Sequence, residues 1–155
     1  MSSIHFTQDD IELIRRDGEL NFPDECCGFM FGSSAGDQRD VREVQPIGNE
    51  QDENRARRFL ISPEQFKKAE KYAREKNLEL IGFYHTHPNH PAIPSQFDRD
   101  HALPFYSYTI LSVRDGVSAE LRSWQLELER TGYVEEQVLV GATLRGRPQI
   151  TEITK

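Results

Sequence analysis

Cysteine is nearly absent from this chain: there are two among 155 residues, Cys26 and Cys27, and they are neighbours. Adjacent cysteines have the wrong geometry to bridge one another, so no covalent staple is expected, and a reducing cytoplasm is the expected compartment. A long apolar run is missing too, since no stretch approaches the ~20 residues of a membrane span. Met1 to Gln8 has neither a basic start nor an apolar core, so no signal peptide is expected. Positive charge is also in deficit. Nineteen Lys and Arg stand against 26 Asp and Glu, a formal net charge of −7, which provides no basic face for a general phosphate-backbone binder. Neither nucleic acid nor a membrane is an expected partner. Internal repeats and low-complexity segments are lacking.

What is present suits a single globule. At ~100–200 residues per domain, residues 1–155 make one domain, large enough to bury about 70% of its extended-chain surface. Hydrophobic residues are 36% and charged residues 29%, with a mean hydropathy of −0.69, the balance of a soluble, globular protein; the order of elements along the chain points to the α/β or α+β class.

Thr7 and Asp10 form a capping-box start, and Ile11, Ile14 and Gly18 then share one helical face. Asp17-Gly18 weakens that helix and Pro23 stops it. Cys27 to Gly32 reads as a buried strand, Ser33 to Asp37 as a turn, and Asp40 to Ile47 as a second strand. Residues 49–58 include six charged side chains and no large apolar one, a solvated insertion loop or a substrate-facing flap. Ser62-Pro63-Glu64-Gln65 opens a helix with Ser as N-cap and Pro at the first turn. Phe66, Ala69 and Ala73 form its apolar face to about Asn77. Leu78 to Tyr84 is an interior strand, and a proline-rich loop spans Pro88 to Pro94. Tyr106 to Val113 is a strand turned by Asp115-Gly116 into Ser118 to Leu126, with Tyr133 to Val140 and a short piece at Gln149 to Ile153 completing a sheet flanked by helices.

The chemistry concentrates between Gly82 and Asp98. Residues at i and i+2 of an extended segment share a face about 6.5 Å apart, so His85 and His87 can aim their imidazoles at one cation. They stand at the C-terminal end of a strand, where α/β sheets place ligands. Asp98 follows a loop long enough to turn back over them. Two imidazoles and a carboxylate suit Zn²⁺ and leave a fourth tetrahedral position for water, the pattern of a catalytic site. Ser95 is placed to cap a short helix whose first turn holds Asp98. Read singly, each has an ordinary meaning: Ser95 an N-cap, Asp98 a first-turn acid, His90 a solvated loop residue or part of a substrate path, and His101 a surface residue. His5 falls in no pattern. A zinc hydrolase also needs an acid/base, and the local candidate is Glu25, in Pro-Asp-Glu-Cys-Cys-Gly at the mouth of a buried strand; the alternative is an exposed turn carboxylate.

His85-Thr-His87-Pro, with Ser95 and Asp98 at their spacing, resembles the JAMM/MPN metalloprotease signature, and Pro23-x-Glu25-x-Cys27-Gly28 resembles that family's upstream glutamate motif. The resemblance runs from about Ile4 to Val113 and is closest to the compact, stand-alone bacterial type. It implies His85, His87 and Asp98 as zinc ligands, Glu25 as the catalytic acid/base, and Ser95 as a donor to the developing oxyanion. It further implies a cytidine-deaminase-like three-layer fold, with a mixed sheet between helices. The implied activity is hydrolysis of an amide after the C-terminal Gly-Gly of a ubiquitin-like or sulfur-carrier protein. Two rivals fare worse: a nucleobase deaminase needs His-x-Glu and Cys-x-x-Cys, which this sequence lacks, and a cysteine protease would need a reactive thiol where Cys27 begins an apolar strand. The alternative from another class is a non-enzymatic, carrier-binding scaffold.

Overall fold

A computed structural model of the chain describes residues 2–47, 61–129 and 132–141, and the backbone of 151–152. Its first element is a strand for which no expectation was set: β1 (Ser3–Thr7) is buried along four of its five residues. Thr7 ends it and caps α1 (Gln8–Asn21). Thr7 Oγ1 accepts from the Asp10 amide and the Asp10 carboxylate accepts from the Thr7 amide, both at 3.1 Å. Such an N-cap stabilises a helix by ~1 kcal/mol.

β2 (Cys27–Ala35) and β3 (Gln38–Ile47) form an antiparallel hairpin. The strand persists through Ala35, into the turn expected from Ser33 to Asp37, and the chain reverses at Gly36, whose φ of +61° suits glycine. Residues 49–58 lie outside the described residues. α2 (Pro63–Glu75) opens as expected, with Ser62 and Gln65 in a reciprocal capping box. β4 (Glu79–Pro88) runs further than its apolar stretch suggests, so both His85 and His87 are strand residues. α3 (Gln96–His101), β5 (Ser107–Arg114), β6 (Val117–Leu126), β7 (Tyr133–Gly141) and β8 (Thr151–Glu152) follow.

The strand order is β1-β3-β2-β4-β5-β6-β7-β8, and β1 also pairs with β7 in parallel, so the mixed sheet closes on itself. α1 meets β1, β3, β4, β5 and β6, so the sheet curls round it. Ile11 and Ile14 pack there with Ile4, Met30, Val41, Leu111 and Val113. The Tyr84 hydroxyl donates to Asp17 at 2.6 Å, tying the helix to β4. α2 covers the other face, burying Ala69 and Ala73 against Phe29, Phe31, Phe83 and Tyr108.

Strand register carries this frame into the site. Cys27 pairs with His85. One step on, the Thr86 amide donates to Cys26 O and the Cys26 amide donates to Thr86 Oγ1, each at 3.0 Å. Glu25 thus stands at the mouth of β2, one further step along, towards His87.

Candidate metal centre

Three elements meet at one end of the sheet. β4 brings His85 and His87, the start of α3 brings Ser95 and Asp98, and the approach to β2 brings Glu25. The two ring Nε2 atoms lie 3.1 Å apart. Asp98 Oδ2 is 3.3 Å from the first and 3.1 Å from the second. The i,i+2 spacing aims the rings together, and the short-helix cap supplies the carboxylate. Ser95 Oγ accepts the Asp98 amide at 3.1 Å, and Asp98 Oδ2 accepts the Ser95 amide at 2.9 Å.

The polar balance suits a cation. The His87 Nδ1–H donates to the Pro91 carbonyl at 2.8 Å, so in the neutral ring the Nε2 lone pair faces the group. Burial holds His85 below the usual histidine range, keeping it neutral. Burial also pushes His87 down, but Asp98, Pro91 and Glu25 outweigh it, and the net shift is upward. Burial alone would raise Asp98; the two histidines and the Ser95 amide hold it far below the usual carboxylate range. Two imidazole nitrogens and an ionised carboxylate oxygen converging in a buried place are a donor set for a metal ion.

Glu25 is 8% exposed, and among the described residues its Oε1 has no hydrogen-bond partner. Burial raises its pKa to about 8 against the lowering effect of His87. The alternative of an exposed turn carboxylate does not hold. Glu25 shares a cavity of about 350 Å³ with His87, His90, Pro91, Ile93 and Ser95. His85 and Asp98 also border a second cavity of about 170 Å³, lined by Ile61, Phe66, Phe83, Phe97 and Tyr108, with His101 at its wall. The sequence reading missed this second cavity. Helical spacing assigns Phe66 to the core face, and nothing local shows that the same ring also lines a cleft. His5 is 7% exposed and lies apart from the site, in β1, 3.1 Å from Ser3 Oγ. Both cysteines are free and buried. Burial pushes the Cys27 thiol up to about 12 and Cys26 higher still, so neither is a nucleophile at neutral pH.

The chain is also similar to known proteins. Residues 7–127 match the family described as prokaryotic homologs of the JAB domain. Two relatives are named desampylase: one from Haloferax volcanii, 34% identical over 58% of this chain and 63% of its own length, and one from Pyrococcus furiosus, 38% identical over 48% and 49%. The chain therefore spans less than two thirds of each. A solved structure from Desulfitobacterium hafniense superposes with a TM-score of 0.79 at 27% identity, covering 92% of this chain and 95% of that one. A structure from Salinibacter ruber gives 0.67 at 30%, covering 98% and 97%. A JAB1/MPN domain protein from Archaeoglobus fulgidus gives 0.51 at 18%, covering 89% and 98%, a likeness of fold.

Proposed function

The chain belongs to the family of prokaryotic homologs of the JAB domain, and from that premise we propose that it is a zinc-dependent isopeptidase. Its substrate is the amide bond after the C-terminal Gly-Gly of a ubiquitin-like or sulfur-carrier protein. One observation carries the reading: a buried carboxyl, Glu25, with an unpartnered oxygen, shares a cavity with His87 and Ser95 beside a converging group of three metal donors. The relatives' name, desampylase, fits hydrolysis of a conjugated modifier.

His85, His87 and Asp98 are the proposed ligands. A zinc ion there supplies Lewis-acid polarisation of the scissile carbonyl and lowers the pKa of water towards neutrality. Glu25, whose ionised form a cation held there would favour, takes the proton of the attacking water on its carboxylate and returns it to the leaving nitrogen, which requires that nitrogen to lie within hydrogen-bond reach of its carboxyl. The leaving part of the substrate therefore occupies the cavity that Glu25 lines. Ser95 Oγ already accepts the Asp98 amide, so its own hydroxyl proton is available to the oxyanion that develops on the carbonyl. The resemblance to a cytidine-deaminase-like layered fold belongs to the same reading. So do a single functional domain over 1–155 with residues 49–58 as a substrate-facing insertion, and a cytoplasmic setting without nucleic-acid or membrane partners. Among the described residues no helix is long and apolar enough to cross a membrane.

The test is hydrolysis of a carrier tail extended by an amide bond after Gly-Gly, before and after removal of metal by a chelator and restoration with zinc. Turnover that disappears and returns supports the enzyme. Zinc binding without turnover on any Gly-Gly amide favours the scaffold reading instead.

A further inference from the structure

His87 can offer Nε2 to a metal only while its ring proton sits on Nδ1, and the acceptor that keeps it there is a main-chain carbonyl, Pro91 O. Proline has no N–H through which to anchor its own residue, so the direction of that carbonyl is set by its neighbours. Ser112 Oγ on β5 donates to His90 O at 2.6 Å. On the other side, the Ala92 amide donates to Glu120 Oε2 at 3.2 Å, and the Trp124 indole N–H donates to Ala92 O at 3.1 Å. Ala92 is wholly buried. Glu120 and Trp124 lie four residues apart on β6, hence on one face, and they grip Ala92 by both of its main-chain polar groups.

The Pro91 carbonyl and the Ala92 N–H belong to the same planar peptide unit and point in opposite directions across it. An acceptor that captures the N–H therefore aims the carbonyl. The Glu120 carboxylate, with Arg114 3.4 Å away, pulls on one end of this peptide while His87 donates to the other. A carboxylate behind a ligating histidine fixes its tautomer and raises its basicity; here the carboxylate stands one peptide group further back, and hydrogen bonds in series polarise one another. We infer that Glu120 is a positioning residue for His87: its carboxylate orients and polarises the Pro91–Ala92 peptide, whose carbonyl holds the His87 proton on Nδ1, while Trp124 anchors the adjoining peptide through Ala92 O. The inference builds on the metal-site reading above and adds to it a residue on β6, outside the motif that carries the resemblance.

Two readouts independent of turnover test it: the nitrogen chemical shifts of the His87 ring in metal-free protein, at a pH where the ring is neutral, and zinc affinity by chelator competition. Glu120→Ala is expected to move His87 from the single Nδ1–H tautomer to a mixture and to weaken zinc by ~10–100-fold, the usual effect of losing such a support. Glu120→Gln, which keeps an acceptor but loses the charge, falls between Ala and wild type. Trp124→Phe shifts both readouts in the same direction. Wild-type tautomer and zinc affinity in Glu120→Ala overturn the inference. Should that variant fail to fold, wild-type values in Glu120→Gln overturn the polarising role of the charge. If the wild-type protein hydrolyses no Gly-Gly amide, the isopeptidase reading fails, while the tautomer and affinity measurements still decide this one.

Discussion

Glu25 is a carboxyl group that burial has moved from 4.5 to about 8, and two consequences belong to that residue. Under the proposed function, Glu25→Gln, nearly isosteric but unable to carry a proton, is expected to lower turnover by about 10²–10⁴-fold, the range for a positioned acid/base, with zinc content unchanged. Full activity in a zinc-loaded Glu25→Gln protein would move the role elsewhere. The second consequence concerns stability. In the unfolded chain the carboxyl ionises near 4.5, whereas in the metal-free folded protein it keeps its proton to about 8. The folded state therefore binds more protons across that window, and its stability falls as pH rises through it. Glutamine has no such dependence. Metal-free Glu25→Gln is expected to melt above wild type at pH 9 and together with it at pH 4. An equal difference at both values contradicts the assignment. The histidines carry a related expectation: each must be unprotonated to ligate, and His87 is raised above its ordinary value, so zinc affinity declines as pH falls through the histidine range.

At the scale of elements, α1 packs closely on the sheet at Gly18. A Cβ on Gly18 would lie 3.0 Å from Leu111 and Thr86 methyls and 3.2 Å from Val113, all of them fully buried. Gly18→Ala improves intrinsic helix propensity by ~1 kcal/mol, but overpacking a filled core costs ~1–3 kcal/mol. The variant should melt below wild type despite the better helix former, and a higher melting temperature contradicts this packing. The sequence made the helix starts legible because caps are local: Thr7 with Asp10, Ser62 with Gln65 and Ser95 with Asp98 each lie three residues apart, and all three pairs form the reciprocal box. It did not reveal β1, whose partners are the distant Gln38–Asp40 and Gln137–Gly141. The close approach that requires Gly18 was equally hidden. The group His85, His87 and Asp98 was legible because strand periodicity and a cap place those atoms. The support from Glu120 was not, because it passes through a main-chain peptide that carries no side-chain signature.

For the whole molecule, the closed sheet carries the His85–His87–Asp98 group beside two cavities, one lined by Glu25 and His87 and one by His85 and Asp98. Under the proposed function, an extended tail crossing the site would bring its scissile carbonyl to the His85–His87–Asp98 group with its leaving nitrogen on the Glu25 side. Glycine before the scissile bond allows that approach, and a branched side chain there displaces the carbonyl. Replacing this residue with valine is expected to lower kcat/KM by about 10²-fold or more, since misplacement by ~1 Å has that effect, and by more than any single change on the leaving side. Equal kcat/KM for glycine and valine tails would contradict the narrow approach. The proposed function depends on a zinc ion at His85, His87 and Asp98, and metal content tests that directly. Elemental analysis of folded wild-type protein should find about one zinc per chain, as for a three-ligand catalytic site, and His87→Ala, purified identically, should hold far less. Equal zinc in the two proteins would contradict the assignment.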